Sequence, residues 1–204
     1  MSEILRVFFD TMRYPLQDAK WIPKVVIGGL LNLIPIADLV AWGYLYKVFI
    51  DSLSQSAKEE LPTWDDWRQY LAAGVYMLGI GIVYALLSLV LFLLLSLIIP
   101  PLAPLLALVS LDLVLPMAIA RFTVERRFAA AFHFSRIYQK IQLVAREYIS
   151  TALLFTVIIG LSGIILLNGV LGLLIWPFWS FYLLIVFARM MGEIISPTLI
   201  DEIS

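Results

Sequence analysis

The chain has 204 residues, of which 62% are hydrophobic and only 14% are charged. Soluble domains carry about 25% charged residues, so a soluble fold of this length could not cover so much apolar surface, whereas a lipid bilayer would solvate it. The 14 basic and 15 acidic residues nearly balance, which gives no indication of nucleic acid as a partner. The absence of cysteine excludes disulfides, thiolate catalysis and cysteine-ligated metals.

The elements predicted along the chain are apolar membrane segments. A helix that spans a bilayer needs about 20 apolar residues at a rise of about 1.5 Å each. Inside hydrocarbon every backbone amide must be bonded within the protein, so helices are the expected form. We therefore predict an all-α, polytopic membrane protein with a single domain over residues 1–204. The segments are predicted at about 22–50, 71–99, 102–120, 149–167 and 170–187.

The first segment is interrupted by polar and helix-breaking residues. It carries Asn32, Pro35 and Asp38, and it is too short for two full spans. Two forms are open at this point. The segment is either one long kinked helix or two half-helices that dip into the membrane and return at residues 32–35.

Two later connections predict tight helical hairpins. Segments two and three are separated only by Pro100 and Pro101, and such a pair ends a helix because proline lacks the amide donor and restricts the residue before it. Segments four and five are separated by Asn168 and Gly169, which together form a strong turn dipeptide. The predicted fold thus has two transmembrane hairpins beside the Pro-broken first segment.

The 14 basic residues fall into four clusters. With both hairpins formed, the three later clusters lie on one face, which the positive-inside rule makes cytoplasmic. A re-entrant first segment would bring the N-terminal cluster to the same face, whereas a single span would leave it on the far side. Charge therefore favours the re-entrant form. The clusters are Arg6, Arg13, Lys20 and Lys24; Lys47, Lys58 and Arg68; Arg121, Arg126, Arg127, Arg136, Lys140 and Arg146; and Arg189.

Two polar stretches predict amphipathic helices. In residues 135–147 apolar side chains recur at helical spacing opposite charged and amide side chains, a pattern typical of a helix at the headgroup boundary. A second apolar stripe opens the chain. Either stripe could instead pack on the protein's own membrane bundle, and the sequence favours neither alternative. The stripes are Ile137, Ile141, Val144, Ala145 and Tyr148 in the first case, and Ile4, Leu5, Phe8, Phe9 and Met12 in the second.

Five blocks of sequence occur in a recognisable order. They are YPLQDAKW at 14–21, GGLLNLIPIADLVAWGYLYKV at 28–48, LPTWDDW at 61–67, LPMAIARF at 115–122 and FARMMGE at 187–193. In this order they resemble an uncharacterised prokaryotic family of membrane proteins, the domain of unknown function 4013, over nearly the whole chain. The LIPI block and the Pro-x-Trp-Asp-Asp-Trp block are the most specific parts. The resemblance implies a polytopic helical membrane protein and no activity. We expect it in the prokaryotic cytoplasmic (inner) membrane, with most charged loops cytoplasmic.

Two acids, Asp38 and Asp112, lie within apolar segments. An ionisable group inside a membrane is a candidate functional residue. A helix broken at Pro35 would free carbonyls able to bind a cation or a proton-linked substrate, so Asn32, Pro35, Asp38 and Asp112 form a candidate ion or polar intramembrane site. The structural alternative is that each carboxyl is protonated or bonded by a neighbouring hydroxyl or amide. For Asp112, a depth near the interface is a further alternative.

Residues 64–67 are a candidate interfacial anchor or docking epitope, formed by Trp64, Asp65, Asp66 and Trp67. The structural interpretation is that Thr63 caps a helix whose first turn contains both aspartates, beside the positive end of its dipole. The two indoles would then lie at headgroup level. The functional interpretation is a docking surface for a partner.

No catalytic residue, metal ligand or cofactor site is predicted. Residues 160–163, GLSG, match the short nucleophile motif of rhomboid-type intramembrane proteases, which need a histidine on a later helix to activate the serine. The single histidine, His133, lies earlier, so small residues for close helix contact are the simpler interpretation. One histidine and no cysteine make a transition-metal site unexpected, and no Gly-rich phosphate loop is present.

Three classes of function remain from the sequence. The first is a non-enzymatic scaffold or accessory subunit that organises lipid or a membrane partner, including a curvature-shaping hairpin protein. The second is a small transporter or channel that uses Asp38, although its spans contain few polar residues to line a path. The third, an intramembrane enzyme, has the least support. The expected partners are the lipid bilayer and another membrane protein or a second copy of the chain.

Overall fold

The computed structural model describes residues 9–54 and 60–203, with side chains described as far as residue 199. The described residues contain helices and no strand. Ile4, Leu5 and Phe8 of the N-terminal stripe, and the basic residues Arg6 and Lys58, lie outside these ranges. The α-helices are α1 (Tyr14–Gln17), α2 (Trp21–Leu31), α3 (Asp38–Leu53), α4 (Trp67–Ile98), α5 (Ala103–Glu125), α6 (Phe134–Leu143), α7 (Ala145–Ser162) and α8 (Val170–Ile203).

Four helical stretches are long and apolar enough to cross a membrane. They are α4, α5, Ala145–Asn168 and Val170–Leu199, with mean hydropathies between 2.1 and 2.8. Ala145–Asn168 consists of α7 and the 3₁₀ helix Gly163–Asn168, and a second 3₁₀ helix covers Phe128–Phe132. Hydrophobicity of this degree, sustained over such lengths, is that of membrane-spanning helices. The chain is therefore an all-helical membrane protein.

The predicted breaks between these helices occur where the prolines and the turn dipeptide lie. After α4 the Ile99 amide bonds to Leu95 O at 2.7 Å, and the Leu102 amide bonds back to Ile99 O at 3.1 Å. This turn passes through the two prolines, and α4 and α5 then pack against each other. Between α7 and α8, Gly169 has φ 63°, a left-handed value that glycine adopts at little cost.

Two short helices occupy the first membrane segment. α2 has 11 residues and α3 has 16, which correspond to about 16 and 24 Å of length, so neither alone crosses about 30 Å of hydrocarbon. The turn between them is closed by amide bonds from Leu33 to Leu30 O and from Asp38 to Ile34 O, both 3.1–3.2 Å long. Ile36 has φ 77° within this turn. The segment is thus broken where the sequence carries Asn32 and Pro35.

Glycines allow α3 and α4 to approach at backbone distance. A Cβ added at Gly43 would lie 1.8 Å from Tyr70 O, and one at Gly74 would lie 1.8 Å from Leu39 O. The two contacts run in opposite directions along the two helices, so α3 and α4 are antiparallel. Small residues at such positions bring membrane helices close together.

The polar segments gather at one end of the bundle. Ser196 Oγ donates to Leu53 O at 2.7 Å, and Lys140 Nζ donates to Thr198 O at 2.5 Å. The hydroxyl of Tyr84 donates to Ala131 O at 2.5 Å, which ties α4 to the 3₁₀ helix after α5. These bonds join the end of α3, the segment between α5 and α7, and the end of α8.

Helix α6 packs its apolar side on the protein itself. Ile137 is buried, and Ile141 and Val144 pack against the same core cluster. The structure thus places this stripe on the bundle, which is one of the two alternatives that the sequence left open. The helix ends at Leu143, and α7 begins at Ala145, earlier than the predicted 149 and inside the predicted interfacial stretch 135–147. Membrane spans tolerate charged residues in a first turn at the water-facing end.

We predict that Gly43→Ala lowers the free energy of unfolding by at least about 2 kcal/mol, because its methyl group would overlap the Tyr70 carbonyl. The measurement is denaturation in mixed micelles followed by tryptophan fluorescence. The matched control is Gly81→Ala, since a Cβ at Gly81 meets nothing within 4 Å, and there alanine should be neutral or stabilising by up to about 1 kcal/mol. Equal effects of the two variants would contradict the close approach.

Candidate functional site

Asp18 is the centre of a polar network at the charged end of the bundle. It is 5% exposed and lies between α1 and α2. Its carboxylate accepts hydrogen bonds from the Lys20 amide at 2.7 Å, from Lys24 Nζ at 2.5 Å and from the Leu61 amide at 3.2 Å. Burial raises the pKa of Asp18, but the bonds from Lys24, Lys20 and Leu61 outweigh it and hold the pKa below its usual value.

Lys24 extends this network into the loop that precedes α4. Its ammonium group also donates to Leu61 O at 2.6 Å, and its own carbonyl accepts the indole N–H of Trp64 at 3.1 Å. The hydroxyl of Tyr44 donates to Pro62 O at 3.0 Å. We name the set formed by Asp18, Lys24, Tyr44, Leu61 and Trp64 the loop lock. It fixes the loop onto α2 and α3.

Aromatic packing completes the loop lock. The rings of Tyr44 and Trp64 are stacked with centroids 4.1 Å apart and an interplanar angle of 15°. The rings of Phe181 on α8 and of Tyr70 on α4 lie within 6.3 Å of Trp64. Stacked and edge-on aromatic pairs add to the stability that burial provides. The loop lock therefore holds three membrane helices, α3, α4 and α8, at one point.

The structure corrects the capping interpretation of residues 61–67. Helix α4 begins at Trp67, and its N-cap is Asp66, without a side-chain cap bond. Thr63 does not cap the helix; its carbonyl accepts from the Tyr70 hydroxyl at 2.6 Å. Asp65 and Asp66 are exposed and precede the helix. The loop is held away from helical geometry because its carbonyls are bonded by Tyr44 and Tyr70.

The two tryptophans of this block have different surroundings. Trp64 is 8% exposed and Trp67 is 44% exposed. Trp64 is thus a core residue in the described structure. The protein itself covers its ring, so an outside partner does not reach it. Trp67 is the one indole of the pair that is available at the surface, at the first residue of α4.

Asp38, Asn32 and Pro35 lie at the break between α2 and α3. The Asp38 carboxylate accepts the indole N–H of Trp42 at 2.9 Å, and it lies in the first turn of α3, where the helix dipole favours negative charge. Pro35 is exposed, whereas Asn32 is half-buried. Several carbonyls at the break already accept amide bonds, including Gly28 O and Ile34 O. Because these carbonyl oxygens are already bonded, they do not form an open ring of free oxygens.

Asp112 lies in the wall of a cavity inside the bundle. The cavity has a volume of about 180 Å³ and an almost wholly apolar lining, to which α3, α4, α5, α7 and α8 contribute. The Thr156 hydroxyl lies 2.5 Å from Asp112 Oδ2. Asp112 is about 14 Å along the axis of α5 from Ala103, near the middle of that helix. A depth near the interface is therefore not its structural explanation.

The structure does not bring the four predicted site residues together. Asp112 lines the cavity, whereas Asn32, Pro35 and Asp38 do not. Trp42 connects the two places, since it donates to Asp38 and also lines the cavity. Trp42 and Thr156 were missed by sequence reasoning, and only the position of Trp42 four residues after Asp38 could have signalled a contact.

The sequence profile of the family described as "Protein of unknown function (DUF4013)" matches residues 27–176, more than half of the chain. This match confirms the resemblance. It includes the LIPI block and the block at 61–67, whereas the blocks at 14–21 and 187–193 lie beyond it. A search of curated proteins and a search of solved structures give no match to the chain.

We predict that Asp18→Asn lowers the free energy of unfolding by about 3 kcal/mol at pH 7, because it leaves the nearly buried Lys24 ammonium without its counter-charge. The folded pKa of Asp18 lies below its unfolded value of about 3.9. The stabilisation is therefore fully present above about pH 4 and is lost as the pH falls through the folded pKa.

Denaturation of wild type and variant between pH 7 and pH 2 measures this difference. The control is Asp65→Asn in the same loop, an exposed carboxylate whose removal should change stability by less than about 0.5 kcal/mol. A difference between wild type and Asp18→Asn that stays constant down to pH 2 would show that charge is not the cause.

Proposed function

The chain belongs to the DUF4013 family of proteins of unknown function, and we propose that it is a non-enzymatic scaffold or accessory subunit for another membrane protein. In this proposal it is a multi-pass protein of the prokaryotic cytoplasmic membrane. Two transmembrane hairpins, α4 with α5 and α7 with α8, stand beside a re-entrant first segment. The charged loops lie in the cytoplasm.

The observation that carries the proposal is that the most distinctive side chains of the sequence make structural contacts in the loop lock. Asp18 and Lys24 form a nearly buried ion pair, and Tyr44 and Trp64 stack on each other. Asp18, Tyr44 and Trp64 come from the sequence blocks that carry the family resemblance. Their contacts build and hold a shape, as expected for a protein that works by presenting a surface.

The depth of the break supports re-entry. A Cβ at Gly74 would touch Leu39 at the start of α3, and Gly74 is about 10 Å along α4 from Trp67. A Cβ at Gly29, near the end of α2, would touch Phe178, which is about 16 Å along α8 from Arg189. Half of the hydrocarbon thickness is about 15 Å. In this proposal Trp67 and Arg189 lie at the membrane boundary, and both helices reach about mid-membrane from the charged end.

The distribution of charge supports a cytoplasmic orientation of that end. The guanidinium of Arg189 lies 4.6 Å from the centre of the Tyr14 ring, and the Tyr14 hydroxyl donates to Glu60 O at 3.4 Å. The N-terminal part, the first loop and the end of α8 therefore share one end of the bundle. The turns at the other end, 99–102 and 163–169, contain no charged residue. The positive-inside rule assigns the charged end to the cytoplasm.

The outer face of α4 is the surface we assign to a partner. Among the four spans, α4 is the least buried. Only 17% of its most apolar 18-residue stretch is buried inside the protein, against 39% for α8. Beyond Tyr84 its inner side packs on α5, where Ser88 Oγ donates to Ala107 O at 2.8 Å. Its outer side consists of exposed aliphatic residues, among them Leu93 at 56% and Leu97 at 83%.

Transport through the break is the second candidate, favoured by one observation. Asp38 is an acid at the N-terminus of a half-helix whose start lies at membrane depth, an arrangement that transporters use for substrates and ions. The adjoining cavity is apolar apart from Asp112. A water-filled path would therefore need polar residues from outside this chain.

We predict the topology from single cysteines, which are informative because the natural chain has none. Asp10→Cys and Arg127→Cys should react with a membrane-impermeant maleimide only in inside-out vesicles. Asn168→Cys, in an exposed turn at the other end, should react only in right-side-out vesicles. Reaction of Asp10→Cys from the outside alone would show that the first segment spans the membrane.

We predict that a photo-crosslinking amino acid at Leu93 or Leu97 gives a protein adduct of one discrete mass in native membranes. The matched control is Phe92 on the inner, half-buried side of α4, which should crosslink only within the chain. Lipid adducts alone at all three positions would contradict a partner on this face. A proton- or sodium-driven flux in vesicles of the pure protein that Asp38→Asn abolishes would establish the transport alternative instead.

A further inference from the structure

The cavity between α3 and α5 has a carboxyl group in an otherwise apolar wall. Asp112 lines the cavity, and Pro116 lines the same wall. Pro116 lies inside α5 and has no amide hydrogen, so the helical bond from residue 116 to the Asp112 carbonyl is missing. Asp112 thus offers its carboxyl group to an apolar space. A ligand that suits this group must bring hydrogen-bond donors.

Thr156 is a polar neighbour of the Asp112 carboxyl group. Its hydroxyl donates towards Asp112 Oδ2 at 2.5 Å and towards Ala152 O, one turn earlier in its own helix, at 3.0 Å. In the described structure no lysine or arginine forms an ion pair with Asp112. A neutral carboxyl is the form that an apolar surrounding favours.

The rest of the lining suits an aromatic or aliphatic body beside a cation. Trp42, Tyr46, Phe155 and Phe187 line the cavity, and the rings of Phe155 and Phe187 are stacked with centroids 4.0 Å apart. Aromatic faces attract cations. A dry cavity of about 150 Å³ binds benzene, so the volume of about 180 Å³ takes a group of that size. Trp42 at the rim is 43% exposed, which leaves the cavity accessible from the lipid side.

We propose that this cavity is a binding site for a small hydrophobic primary amine that enters from the bilayer. The uncharged amine dissolves in lipid and reaches Asp112 with its nitrogen lone pair free. The carboxyl proton of Asp112 passes to the nitrogen, which gives an ammonium and a carboxylate with no other reactant. The ammonium then donates to the carboxylate, which also accepts the bond from the Thr156 hydroxyl. The inference goes beyond the scaffold function and does not depend on it.

The test measures binding of isotope-labelled benzylamine to the full chain in lipid nanodiscs by equilibrium dialysis, with empty nanodiscs correcting for partition. Asp112→Asn keeps the size of the side chain but cannot give up a proton, so it should weaken specific binding at least about tenfold. Asp65→Asn makes the same substitution at an exposed loop position and should bind as the wild type does. Wild-type affinity in Asp112→Asn would overturn the proposal.

Two further measurements keep the test independent of how Asp112→Asn folds. Ethylbenzene has the shape of benzylamine without the nitrogen and should bind the wild type at least about tenfold more weakly. Ala188→Leu, which fills the cavity from α8, should abolish specific benzylamine binding, with folding checked by gel filtration and helix content. Equal binding of the two ligands, or full binding by folded Ala188→Leu, would show that the amine is not held at this site.

Discussion

The structure depends on the requirement that backbone amides inside hydrocarbon find partners within the protein. The long helices satisfy it along their length, and the turns satisfy it locally. At the break after α2, the Asn32 amide bonds to Gly28 O and the Ile34 amide bonds to Leu31 O, both at 3.1 Å. The break therefore remains compact, and aliphatic side chains such as Ile36, which is 79% exposed, lie on its surface.

A broken segment cannot be held in place by its own helical bonds, so tertiary contacts must fix α2 and α3. Away from the charged end the contacts are steric, since Gly28 and Gly29 lie against Phe181 and Phe178. At the charged end they are polar and aromatic, and they belong to the loop lock. Small residues allow the helices to pack closely where water is absent. At the end of the bundle that the polar segments share, a hydrogen-bonded ion pair makes the contact. The loop lock and the glycine contacts thus together hold α2 and α3 in place.

Much of the fold follows from apolar length and helix-breaking residues, because both act locally. The adjacent prolines at 100 and 101, and the turn at Gly169, interrupt helices through local chemistry, although the single prolines 116, 177 and 197 lie inside helices. The loop at 61–67 was misjudged because its local pattern for a helix start is overridden by distant groups, chiefly the Tyr44 ring and the Lys24 carbonyl. The bond between Thr156 and Asp112 joins residues 44 positions apart. Such pairs depend on how helices pack, and hydrophobic periodicity in α5 or α7 contains no trace of them.

The two membrane acids illustrate why position within a helix decides chemistry. Asp38 stands at the start of α3, where the dipole and the Trp42 indole N–H both stabilise a negative charge. Asp112 stands in mid-helix without that dipole, about one turn before Pro116 and in the wall of an apolar cavity. A carboxylate there would face an apolar space. Asp38 thus has an indole donor and a helix start beside its carboxyl group, whereas Asp112 has an apolar cavity, and this difference is the reason we assign the proposed ligand to Asp112.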